Sequence, residues 1–134
     1  GPLFLTKEVS KIMLKKKNSG KIVNISSIFG VVSRKERSMY STSKSALLGL
    51  TRASALDLSR RNILVNSVSP GFVSTSLTRK ILGKKGIQSI KKEIPLGRLA
   101  STKEISNLII FLCSDYNTYI TGQNFIIDGG VTSK

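Results

Sequence analysis

Residues 21–70 read KIVNISSIFGVVSRKERSMYSTSKSALLGLTRASALDLSRRNILVNSVSP, and the fold follows from how that stretch divides. KIVNIS at 21–26 is a short run rich in β-branched residues, the length of one buried strand. Residues 38–59 put Ala46, Leu47, Leu50, Ala53, Ser54 and Leu58 on one helical stripe, with small side chains that permit close packing. LVNSV at 64–68 alternates apolar and polar residues and is closed by Ser69-Pro70-Gly71, a turn signal. Strand, long helix and strand in that order predict a βαβ crossover with the two strands parallel.

The flanks extend the same pattern. Residues 3–17 carry Leu5, Val9, Ile12 and Met13 at helical spacing and end in a lysine cluster suited to the negative pole of a helix, with Asn18-Ser19-Gly20 as the stop. Two short helical patterns at 76–82 and 87–93 are separated by Gly83 and followed by Pro95. Residues 102–113 form an amphipathic helix that Ser101 caps, with Glu104 in the first turn. Residues 124–128 are a last strand, ended by Gly129-Gly130. The whole predicts an α/β chain built on a parallel sheet.

Composition narrows the chemistry. With 134 residues, 40% apolar and 6% aromatic, the chain is one domain at most and too apolar for disorder. Its longest apolar run, 108–113, is too short for a bilayer, and the first residues show no secretory signal, so a cytoplasmic location is expected. Cys113 is the one cysteine and there is no histidine, which excludes an internal disulfide and any metal site of imidazoles or paired thiolates. In its apolar helical context Cys113 is expected to be buried and inert. The net charge of +15 invites a nucleic-acid reading. The basic residues are scattered, however, and lack interleaved aromatics or a recognition motif, so a solvated basic surface and no specific nucleic-acid partner are expected. An acidic half outside this chain is a second way to read the imbalance.

Tyr40 and Lys44 stand at i and i+4, so on a helix they share one face. A cation a few ångströms from a phenol lowers its pKa from ~10 by roughly 1–3 units, toward the range of acid/base work. Ser27, thirteen residues before Tyr40 at the end of the first strand, is placed to hold a substrate oxygen.

Four elements, NISSIFG at 24–30, the Tyr40/Lys44 pair, VNSVSPGFVST at 65–75 and YITGQNFIIDGG at 119–130, resemble in order and spacing those of the short-chain dehydrogenase/reductase family, most closely its bacterial 3-oxoacyl-carrier-protein reductases. The resemblance implies a Rossmann-type doubly wound parallel sheet, of which this chain holds the last three strands with their flanking helices. It implies a catalytic set of Ser27, Tyr40 and Lys44, with NAD or NADP held by Tyr40, Lys44, Pro70, Gly71, Val73 and Thr75. The substrate is a small carbonyl or alcohol, and members assemble as dimers or tetramers. Gly122, Gln123 and Asp128 are expected to order the last strand instead of touching substrate. The family's TGxxxGxG phosphate-binding turn has no counterpart here, so residues 1–134 are expected to be the C-terminal half of one domain whose dinucleotide-binding half is absent. Two readings stay open: the proton-transfer half of an oxidoreductase, or a non-catalytic remnant or oligomerisation module. Either way the strand at 21–26 is expected to be a hydrogen-bond-hungry edge that favours aggregation or a partner.

Overall fold

The computed structural model describes residues 1–16 and 19–133. Its regular elements are helix α1 (Pro2–Lys15), strand β1 (Gly20–Ile25), helix α2 (Ser38–Leu58), strand β2 (Ile63–Pro70), helix α3 (Ser76–Glu93), helix α4 (Thr102–Cys113) and strand β3 (Asn124–Ile127), with short 3-10 turns at Ile28–Gly30 and Ser59–Arg61. The strands form one parallel sheet in the order β1-β2-β3. Lys17 and Asn18, expected to close and stop the first helix, lie outside the described residues.

Helices cover both faces of the sheet, as a parallel sheet requires. On one face Ile63 and Val65 of β2 pack with Ala55 and Leu58 of α2, joined by Met13 and Ile22. On the other, Val68 packs with Ile105 and Leu112 of α4. This is the doubly wound arrangement expected. Being central, β2 is buried from Ile63 to Ser69, and its polar side chains therefore need partners inside the protein. Ser67 and Ser69 both donate to Asn124 Oδ1, at 2.9 and 2.7 Å. Asn66 donates to the Ile120 carbonyl at 2.7 Å and accepts from the Gln123 N–H at 3.1 Å, fixing the approach to β3. On β1, Asn24 donates to Thr51 Oγ1 at 2.9 Å and so ties the strand to α2.

Asp128 closes β3 as expected. It accepts from the Gly130 N–H and from the N–H and hydroxyl of Thr132. Burial pushes its carboxyl up, but those bonds outweigh it and hold it below the usual range. Gly83 breaks α3 with φ 60° and ψ −177°, which joins the two expected short helices across a kink. Cys113 departs from expectation: its thiol is exposed. The buried stripe of α4 runs through Ile105 and Leu112, and one residue beyond Leu112 the helix has turned by about 100° toward solvent.

Ser101 caps α4 in a complete capping box with Glu104. Arg98 grips the same carboxylate in two bonds, 2.7 Å from Nη2 and 3.0 Å from Nη1. The Arg98 guanidinium first, then the Ser101 N–H and hydroxyl, bring Glu104 down to about 2 from an ordinary 4.5. A carboxyl depressed on folding stabilises fully above its unfolded value and loses that stabilisation as pH falls toward the folded one. The thermal midpoint is therefore expected to fall with acid between about 4.5 and about 2 more steeply in the parent than in Glu104→Gln. Parallel acid limbs for the two proteins would contradict it.

Candidate active site

After β1 the chain turns through Ser26 and Ser27 into the 3-10 turn. Ser27, extended at φ −163° and ψ 159°, caps that turn, its Oγ accepting the Phe29 N–H at 3.2 Å. Its own O–H donates to no described residue. Ser26 is committed elsewhere, donating to the Lys44 carbonyl at 2.9 Å. Of the two serines, it is Ser27 that lines the neighbouring cavity.

Tyr40 sits in the first turn of α2 with its ring edge-on to Phe29, centroids 6.2 Å apart. Its hydroxyl bonds to no described residue. One turn along, Lys44 donates from Nζ to the Ile25 carbonyl at 3.0 Å and lies 5.6 Å from the Tyr40 ring centre. The end of β1 thus holds the ammonium beside the phenol.

Close approach of the 3-10 turn to α2 keeps these groups together, and Gly30 permits it. A Cβ there would lie 2.9 Å from Ser26 Oγ and 3.0 Å from the backbone carbon and oxygen of Lys44. Gly30→Ala is expected to destabilise the protein by ~1–3 kcal/mol through overpacking. Thermal unfolding checks it; an unchanged midpoint would contradict it.

A cavity of about 400 Å³ opens between this turn, the start of α2, the segment that leaves β2 at residues 71–73 and α3. Ser27, Tyr40, Gly71 and Val73 line it, whereas Lys44, Pro70 and Thr75 do not. Pro70 is the last residue of β2, in register with Ile127. Thr75 caps α3, accepting the Thr78 N–H at 3.0 Å and sharing a bond with the Thr78 hydroxyl at 2.9 Å. Gly71 is required from within the chain, since a Cβ there would lie 2.8 Å from Cα and Cβ of Asp128. Around the isolated bridge of Val73 with Ala100, the Ala100 N–H goes to the Phe72 carbonyl and the Ala100 carbonyl takes the Ser74 N–H. The Val73 N–H is left bonded to no described residue.

Other lining residues escaped the sequence reading. Phe29, Arg34, Arg37 and Phe72 all face the cavity, with Leu77 and Ile81 of α3. The Arg34 guanidinium lies 5.9 Å from the Phe29 ring centre and 5.2 Å from that of Phe72, and pairs with Glu93. No local signal marks Arg34 or Arg37, because the partners that bring this loop over the cavity come from residues 72 and 93.

A family model described as enoyl-(acyl carrier protein) reductase, within the short-chain dehydrogenase/reductases, matches residues 1–132. The chain belongs to the short-chain dehydrogenase/reductase family. Among curated relatives, this short-chain dehydrogenase/reductase chain is 41% identical over 128 residues to the 3-oxoacyl-(acyl-carrier-protein) reductase of Aquifex aeolicus, covering 96% of the chain and 51% of that protein. Among solved structures it is similar to a 4-hydroxyisoleucine dehydrogenase mutant complexed with NADH and succinate, with TM-score 0.94, 40% identity and coverage of 99% of this chain and 55% of that one. It is also similar to ElxO with NADP bound, with TM-score 0.91, 34% identity and coverage of 98% and 53%. The chain spans about half the length of the curated relatives it matches. None of the described helices is long and apolar enough to cross a membrane.

Proposed function

We propose that this chain is the C-terminal, proton-transfer half of an NAD- or NADP-dependent oxidoreductase that interconverts a small carbonyl compound and its alcohol in the cytoplasm. One observation carries the reading: Ser27 and Tyr40, whose O–H groups donate to no described residue, line one cavity, with Lys44 one helical turn beyond Tyr40. The nicotinamide, when bound, supplies or accepts the hydride.

In the reducing direction Tyr40 gives its phenolic proton to the substrate oxygen as negative charge builds there. Ser27 donates a hydrogen bond to the same oxygen; its Oγ is already oriented by the Phe29 N–H, so little reorganisation is needed. Lys44, anchored at the Ile25 carbonyl, stabilises the charge left on Tyr40 and has N–H groups to spare for ribose hydroxyls. A carboxamide is assigned to Val73, which lines the same cavity as Ser27 and Tyr40 and whose N–H bonds to no described residue. Pro70 ends β2 and Gly71 passes close to Asp128, so the chain leaves the sheet just before Val73. Thr75 contributes through the one hydroxyl proton its capping role leaves, which it shares with Thr78.

Self-association is part of the proposal. Helix α1 exposes Leu3, Phe4, Leu5 and Ile12, at 61, 68, 67 and 56%, an apolar surface suited to a second copy. The deciding test is carbonyl-dependent oxidation of NADH or NADPH by the protein that carries this chain, repeated with Tyr40→Phe. Alcohol formed in step with oxidised cofactor, and lost in the variant, is expected. No turnover on any carbonyl would favour the non-catalytic module.

A further inference from the structure

We propose that the cavity selects an anionic substrate, a carbonyl or alcohol compound bearing a carboxylate, and that Arg34 with Arg37 receives that group. The inference rests on the reading of Tyr40 and Ser27 as the reacting end of the same cavity and adds the chemistry of its other end.

Two arginines line the cavity and none of its described lining residues is acidic. Arg34 is held in place on three sides. The Phe29 and Phe72 rings pack against the guanidinium, and Glu93 takes one of its N–H groups at Nη2. A guanidinium presents its N–H groups in its own plane, where a carboxylate binds in two parallel bonds, and rings that approach its faces leave that edge available. Glu93 shows a carboxylate already accepted at Nη2, while the Nε and Nη1 N–H groups of Arg34 bond to no described residue and so can each give a ligand one charge-assisted bond. A ligand can therefore add to Arg34 without displacing Glu93. Arg37, with no ion-pair partner among the described residues, supplies a second positive charge from the N-terminal boundary of α2.

Geometry connects the two ends. The Phe29 ring is in edge contact with Tyr40 and also lies beneath Arg34, so a single phenyl ring separates the phenol from the guanidinium. A substrate with its oxygen at Ser27 and Tyr40 and its carboxylate at Arg34 lies along that ring and against the apolar side chains of α3. Its apolar spacer loses water as its ends pair, a combination that an ester or primary alcohol of the same length does not offer.

The test is calorimetric binding of a homologous series of ω-1 oxo-carboxylates, from 4-oxopentanoate to 8-oxononanoate, and of their methyl esters, to the protein that carries this chain, with and without NADH or NADPH. At least one acid is expected to bind ten-fold or more tightly than its ester. Arg34→Gln is expected to reduce that preference to less than three-fold, Arg34→Lys to restore it in part, and Arg37→Gln, at an exposed side chain, to weaken acid binding about three-fold. Circular dichroism of each variant shows whether it is folded. Should Arg34→Gln be misfolded, the Arg37→Gln result and the acid-to-ester ratio of the parent decide the matter. Equal binding of acids and esters, a preference that survives Arg34→Gln, or no binding of any acid overturns the proposal. Binding is read without turnover, so loss of the assigned role of Tyr40 and loss of the acid preference are separate outcomes.

Discussion

Tyr40→Phe is expected to lower turnover by roughly 10²–10⁴-fold, the range spanned by a positioned proton donor, while leaving the unfolding midpoint close to that of the parent. Both halves of that expectation come from the same geometry. The Tyr40 hydroxyl bonds to no described residue, so removing it breaks no structural bond. Its ring, edge-on to Phe29, keeps that packing in phenylalanine. The variant retains Ser27 as hydrogen-bond donor and Lys44 as cation, which is why a residual rate is expected instead of none. Cofactor binding is expected to weaken by no more than the share of the Tyr40 hydroxyl, since the Val73 amide and the Lys44 ammonium are untouched. Steady-state kinetics together with cofactor fluorescence and thermal unfolding distinguish these effects. A variant within three-fold of the parent rate would remove Tyr40 from the proton path.

The largest loss of stability is expected from Leu112→Ala, at ~2–5 kcal/mol. Leu112 is fully buried and packs with Val68 and Ile105, where α4 meets the centre of the sheet. Its carbonyl also accepts from Asn117 Nδ2 at 3.0 Å, and Asn117 in turn receives the Ile120 N–H, so the loop leading to β3 is ordered from the same point. Truncation leaves a cavity that the surrounding backbone, held by those bonds, closes poorly. Against a typical total of about 5–15 kcal/mol, such a loss is a large fraction of what holds the chain folded. Denaturant unfolding should show a lower midpoint with an unchanged slope; a loss below about 1 kcal/mol would mean the site collapses around the smaller side chain.

What could be read in the sequence was carried by local chemistry. The Ser101/Glu104 cap and the Gly83 break depend on residues a few positions apart, and both are found in the structure. The α2 stripe is found in part: Ser54 and Leu58 are buried as expected, but Thr51 and Ala55 share the buried face while Ala46 and Ala53 are exposed. The turn expected at Ser69-Pro70-Gly71 is strand instead, because β2 runs on to Pro70 and the Gly71 N–H still bonds to the Ile127 carbonyl of β3. The i, i+4 placement of Tyr40 and Lys44 is also local, and both residues lie on α2 with the ammonium beside the ring. What was not legible depends on distant segments. That Lys44 is anchored by Ile25, that Thr75 spends its oxygen on capping α3, and that Arg34 lies over Phe72 and pairs with Glu93 are all settled by pairings between separate elements. Cys113 shows the same limit at finer grain: an apolar helix end was legible, but the direction in which its last residue points was not.

Every group assigned to proton transfer is attached to one crossover: Ser27 just after β1, Tyr40 and Lys44 on α2, with β2 closing the unit. Parallel β1 and β2 are joined through α2, so the groups of the centre and the β1–β2 pairing belong to one βαβ unit and are expected to form together. Hydrogen exchange at these residues should therefore be governed by the opening of the β1–α2–β2 foldon, while α3, interrupted at Gly83, opens independently and more often. Access to the cavity and integrity of the centre are in this way assigned to different cooperative units, and the wall facing the substrate can breathe without disturbing the groups that move the proton.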